Sequence, residues 1–63
     1  MLNIGDRITQ LRKQSNLSQE ELAKKAEVSR TIIGNYERNL NTPSIEVLIK
    51  LARVFNVSLD YLI

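Results

Sequence analysis

Serines punctuate this chain at intervals that leave room only for short helices. Ser18, Ser29 and Ser58 each precede a run whose apolar residues are spaced by three and four, and Ser44 stands before a fourth such run. A serine at that position caps a helix, because its hydroxyl accepts from a first-turn amide that has no carbonyl partner. Spacing by three and four is the α-helical period, and no stretch alternates as a strand does. The chain of 63 residues therefore reads as short helices around one core, a single domain over residues 1–63. It contains no cysteine and no histidine. That excludes disulfides and the usual thiolate and imidazole metal sites, so stability has to come from helix packing, helped by dimerisation.

The first helix is expected over Ile4–Gln14, with Ile4, Ile8 and Leu11 on one face. Asp6 near its start and Arg12 and Lys13 near its end complement the helix dipole, and Ser15-Asn16 stops it. The run Ser18-Gln19-Glu20-Glu21 fits a capping box, and Leu17 can staple to Leu22. Leu22, Ala23 and Ala26 then form a narrow stripe that lets another helix approach closely. A third helix begins at Ser29 and ends at Asn39, a residue tolerant of the left-handed backbone. The link from Ala26 to Ser29 is so short that the second and third helices make a helix-turn-helix. Its left-handed turn position, where glycine is common, falls on Glu27, which implies strain or a different turn. The fourth helix starts at Ser44, or with Thr42 as cap and Pro43 in its first turn. Ile45, Leu48, Leu51, Ala52 and Phe55 lie on one broad side of it, and Asn56 ends it. A last helix runs from Ser58 to Ile63.

The third helix carries the chemistry. In Val28–Asn39, Ile33 and Tyr36 point together, whereas Arg30, Thr31, Gly34, Asn35 and Arg38 fan across the other side. A helix face kept only for stability favours Glu, Lys, Gln and Ala. Arginine instead forks onto a guanine edge, asparagine onto an adenine edge, and threonine bonds a base or meets a thymine methyl. Gly34 costs about 1 kcal/mol relative to alanine inside a helix. It is explained by close approach to an outside surface, by a packing constraint against the second helix, or by simple drift. The free amides at helix N-termini suit a phosphate, which Gln19 and Ser29 are placed to join.

Bulk charge decides little. The net charge is +2, and its excess lies in the first 17 residues, where Arg7, Arg12 and Lys13 face only Asp6. A basic footprint has to come from placement. No segment approaches the roughly 20 consecutive apolar residues of a membrane span, and the N-terminus lacks a signal-peptide layout. The expected location is the cytoplasm. No catalytic residue, metal ligand, cofactor motif or small-molecule site is evident, and the chain does not read as an enzyme.

The stretch LSQEELAKKAEVSRTIIGNYERNLNTPSIEVLIKLARVFNVSLDYL resembles the Cro/CI-type (phage-repressor-like, XRE) helix-turn-helix DNA-binding domain. The marks are S-Q-E-E-L-A at the second helix, V-S at the turn, Y-E-R-N after the third helix, P-S before the fourth, and L-A-R-V-F-N-V-S-L-D-Y-L at the end. The resemblance implies an all-α, five-helix lambda-repressor-like fold and sequence-specific binding of double-stranded DNA by a transcriptional regulator, a repressor. The third helix would lie in the major groove. Arg30, Thr31 and Asn35 would contact bases, and Gln19, Ser29, Asn39 and Asn41 the DNA backbone. Arg12 and Glu37 match positions that form a partly buried structural ion pair. Two positions depart from the pattern: Glu27 and Asn39 stand where glycine is frequent.

The fourth helix is apolar almost all round, and one small core does not absorb all of it. Val47, Ile49 or Val54, with Leu59, Tyr61 or Ile63, would leave a patch for a homodimer through the fourth and fifth helices, suited to a palindromic operator with half-sites about 34 Å apart. The alternative function is a protein-interaction module of the same fold, of antitoxin or anti-repressor type. The end at Asp60–Ile63 fits either a small regulator or the DNA-binding part of a longer one.

Overall fold

The computed structural model describes residues 3–63. They form five helices, α1 (Ile4–Gln14), α2 (Gln19–Ala26), α3 (Arg30–Glu37), α4 (Ile45–Phe55) and α5 (Leu59–Leu62), and no strand occurs among the described residues. α3 packs against both α1 and α2, α4 against α2 and α5, and α5 closes back on α1. The fully buried large side chains come one from each helix: Ile8, Leu22, Ile33, Leu51 and Leu62. Burying each of them is worth about 2 kcal/mol. Ala23, Ala26 and Ala52 keep the contact surfaces of α2 and α4 low, so the helices sit close around this centre.

Each helix opens on a side chain that accepts from its first turn: Asn3, Ser18, Ser29, Ser44 and Ser58. At α2 the capping box is complete, with Glu21 N donating to Ser18 Oγ at 3.0 Å and Ser18 N to Glu21 Oε1 at 2.8 Å. α4 starts from Ser44, whose hydroxyl accepts from Val47 N at 3.3 Å, so the Thr42-capped alternative is not adopted and buried Pro43 lies outside the helix.

The first four helices also end alike. A left-handed residue, Asn16, Glu27, Asn39 or Asn56, follows the last turn. The next residue, Leu17, Val28, Leu40 or Val57, donates its amide back to the carbonyl five residues earlier. This is the Schellman arrangement, in which an apolar residue after the left-handed one closes over the helix end. Leu17, Val28 and Val57 do so against the core, whereas Leu40 is 66% exposed.

Two placements differ from the sequence reading. Ile45, assigned to the core side of α4, is 57% exposed. It is the first residue of α4, one turn before buried Leu48, and projects beyond the part of the helix that neighbours cover. Gly5, which the spacing did not single out, is buried because α1 begins directly against the end of α3. A Cβ there would overlap the Tyr36 carbonyl oxygen and the Asn39 side chain, and the Gly5 amide donates to Asn39 Oδ1 at 3.2 Å.

At the turn, Glu27 adopts φ 60° and ψ 41°, the left-handed backbone itself rather than a different turn. The other three left-handed residues are asparagines, which tolerate that region, whereas glutamate has no such compensation. Its exposed ion pair with Lys50, at 3.5 Å, returns little. Glu27→Gly is therefore expected to raise the unfolding free energy by up to about 1 kcal/mol; urea melts of the two proteins measure it, and an unchanged midpoint contradicts the strain.

Candidate nucleic-acid interface

The short link Glu27-Val28-Ser29 sets α3 across α2. The inner side of α3 is committed to the core through Ile33 and Tyr36, with Ile32 half-buried at its edge. That fixes the rotation of the helix, and the opposite side faces solvent. Arg30 and Thr31, the first two helical residues, are exposed and hydrogen-bond nothing through their side chains among the described residues. Asn35 lies one turn further along and is half-buried. Ser29 is exposed, and its hydroxyl already accepts from Ile32 N at 3.1 Å.

Behind this surface an ion pair holds three helices together. Arg12 Nε donates to Glu37 Oε2 at 2.6 Å and Arg12 Nη2 to Glu37 Oε1 at 3.2 Å. The remaining branch, Nη1, donates to the Leu17 carbonyl at 2.8 Å. Gln19 Nε2 adds a bond to Glu37 Oε1 at 3.0 Å. The two charged side chains are only 14% and 7% exposed. Burial alone would push the Glu37 carboxyl upward. The hydrogen bonds from Arg12 and Gln19 and the charge of Arg12 together outweigh it and hold the group below its ordinary range.

The residues assigned to a DNA backbone are only partly free. Gln19 gives one amide hydrogen to Glu37 and keeps a second. Asn39 uses its oxygen to hold the first turn of α1 and keeps its amide donors. Asn41 is exposed and makes no side-chain hydrogen bond among the described residues. These structural partners lie 18 and 34 residues away in the chain, which local spacing cannot anticipate.

Gly34 belongs by phase to the outer face, yet it is buried. What covers it is Arg38, whose guanidinium folds back over the bare backbone. A Cβ on residue 34 would stand 3.4 Å from Arg38 Nη1, an ordinary contact, with Cζ and Nη2 next at 3.9 Å. Packing against α2 is therefore not the reason for this glycine, and its φ is negative. Arg38 Nη2 also donates to Asn35 Oδ1 at 2.9 Å.

The sequence pattern of the helix-turn-helix family matches residues 8–62. The HTH-type transcriptional regulator SinR of Bacillus subtilis is 46% identical over 61 residues, 95% of this chain and 55% of that protein. The HTH-type transcriptional regulator ImmR of the same species is 34% identical over 62 residues, 98% of this chain and 49% of that protein. The chain thus spans about half the length of these curated relatives. Among solved structures, SinR in complex with DNA superposes with a TM-score of 0.90 at 44% identity, over 95% of this chain and 97% of that one. The P22 c2 repressor in complex with a synthetic operator gives 0.94 at 33% identity, over 100% and 96%.

Removing Glu37 leaves a buried guanidinium without its partner. Glu37→Ala is expected to cost about 3 kcal/mol of stability, read in thermal or urea melts at neutral pH. Because the folded-state pKa is depressed, the contribution of the pair is complete above the unfolded value of about 4.3 and is lost as pH falls through the lower folded value. The gap between the two proteins should therefore narrow below about pH 4; a gap that persists unchanged into acid contradicts the ionic origin.

Proposed function

The chain belongs to the Cro/CI-type helix-turn-helix family, and on that premise we propose that it is a transcriptional regulator, a repressor, that binds double-stranded DNA sequence-specifically with α3 in the major groove. The observation that carries the reading is the surface of α3. Among the described residues, Arg30, Thr31 and an Asn35 amide donor stand without partners beside a capped helix start, on a helix whose rotation the core fixes. SinR and the P22 c2 repressor, close in fold and sequence, have each been seen with DNA.

In this arrangement Arg30, Thr31 and Asn35 meet base edges and carry sequence preference. The second amide hydrogen of Gln19, the Ser29 hydroxyl and the side chains of Asn39 and Asn41 bond phosphates and set register. The Arg12–Glu37 pair neutralises the only carboxylate of α3, so no free anion from this helix opposes the DNA. Gly34 lies under the Arg38 guanidinium, although the fold has room for a methyl group there and would gain helix propensity from one.

The proposed regulator acts as a two-fold dimer through α4 and α5. Ile49, Tyr61 and Ile63 are 40%, 49% and 68% exposed, and Ile45 at 57% extends the apolar row along α4. Val47, Val54 and Leu59 instead lean on the core and contribute only their edges. Such a patch on so small a surface is what a subunit contact would cover.

Selection from a random duplex library, followed by binding to the enriched duplex across salt, tests the DNA reading. A two-fold symmetric site is expected, with affinity falling steeply as salt rises because bound phosphates release counterions. Arg30→Ala should relax preference at one position of each half-site by about 1–3 kcal/mol. No enrichment, or binding indifferent to salt, contradicts the proposal. Gly34→Ala should stabilise the free protein by up to about 1 kcal/mol, read in urea melts; an unchanged or lower midpoint contradicts the room for a methyl group at residue 34. Sedimentation of the protein with the enriched duplex should give two chains per duplex, and a strict 1:1 complex overturns the dimer.

A further inference from the structure

Arg38 stands exposed at the end of α3, and its side chain folds back rather than reaching outward. It lies back along the helix on Gly34 and donates from Nη2 to Asn35 Oδ1 at 2.9 Å. A guanidinium has five donors and no acceptor. The Asn35 atom that faces it must therefore be the oxygen, since the reversed amide would set two donors against each other. Asn35 Nδ2 is left turned away from Arg38, with no partner among the described residues. An asparagine free to rotate offers a base either a donor or an acceptor at a given point, whereas this one offers a donor.

We propose that Arg38 is a specificity-determining residue that acts through Asn35, locking its amide so that Nδ2 is the atom presented to the base edge. This rests on the reading of α3 as the recognition helix. The major-groove edges that accept from such a donor are guanine N7 and O6, adenine N7 and thymine O4; cytosine presents the N4 amino donor instead. The locked amide therefore disfavours cytosine at the edge it meets. The guanidinium reaches back across Gly34 to the residue three positions earlier, which lies on the same face of the helix. Arg38 is a positioning residue in this scheme, and its charge is not what matters.

The test uses the 63-residue chain and a random duplex library, with wild type, Asn35→Ala, Arg38→Ala and the double variant. The base pair at which Asn35→Ala flattens the preference is the one Asn35 reads. Arg38→Ala is expected to weaken discrimination against cytosine at that same pair, on the order of tenfold, while preferences elsewhere in the site stay as they were. In the Asn35→Ala background the same substitution should then change no positional preference. If Arg38→Ala instead lowers affinity evenly across all sequences and reduces the salt slope by about one, Arg38 is a phosphate contact and the proposal is overturned while the DNA-binding reading stands. If the wild-type chain enriches no sequence, the reading itself fails and the role of Arg38 falls with it.

Discussion

The guanidinium of Arg12 makes three hydrogen bonds, and the geometry of the helix-turn-helix depends on them. Two reach Glu37 on α3, one reaches the Leu17 carbonyl between α1 and α2, and through Glu37 the network includes Gln19 at the start of α2. All three helices are thus referenced to one planar group. A forked, permanently charged side chain suits the task, because each branch has a fixed direction and the carboxylate receives two parallel bonds. A lysine would supply the charge without the angles. The pair also removes the negative charge of Glu37 from the helix that faces the proposed DNA.

Around that network the helices are kept short and separate by a repeated grammar. A polar cap opens each one, and in the first four a left-handed residue followed by an aliphatic one closes it. The opening signals were legible at Ser18, Ser29 and Ser58, since serine before an apolar-periodic run has a direct hydrogen-bonding cause, whereas Ser44 competed with Thr42 and the Asn3 cap of α1 was not read. The closing signals were legible where asparagine stands. Glu27 was recognised as the turn position, but whether the backbone would accept strain or find another turn was settled by packing: α2 and α3 cannot meet as they do unless the chain reverses there.

The outer surface of α3 was legible in outline and not in its internal bonds. Phase alone separates Ile33 and Tyr36 from Arg30, Thr31, Asn35 and Arg38. It also places Gly34 outside, which is right for the backbone and wrong for exposure, because a side chain four residues later lies over it. Gln19 and Asn39 have structural partners 18 and 34 residues away, invisible to any local pattern. Gly5 left only a faint trace, a glycine in a first helical turn. Ile45 was misplaced because helical phase says which side a residue is on but not whether a neighbouring helix extends far enough to cover it.

The sequence by itself determined the number of helices, most of their ends and the face of α3 that turns to the core, because caps, left-handed residues and a 3.6-residue period act within a few positions of the chain. The tertiary structure alone decided which polar side chains remain free. The family resemblance named the Arg12–Glu37 pair across 25 residues, but no local pattern did, and the capture of one Gln19 amide hydrogen and the Asn39 oxygen follows only from α1 and α2 packing on α3. Hydrogen-bond partners are assigned by proximity in space, and proximity at that range exists only after the core has closed.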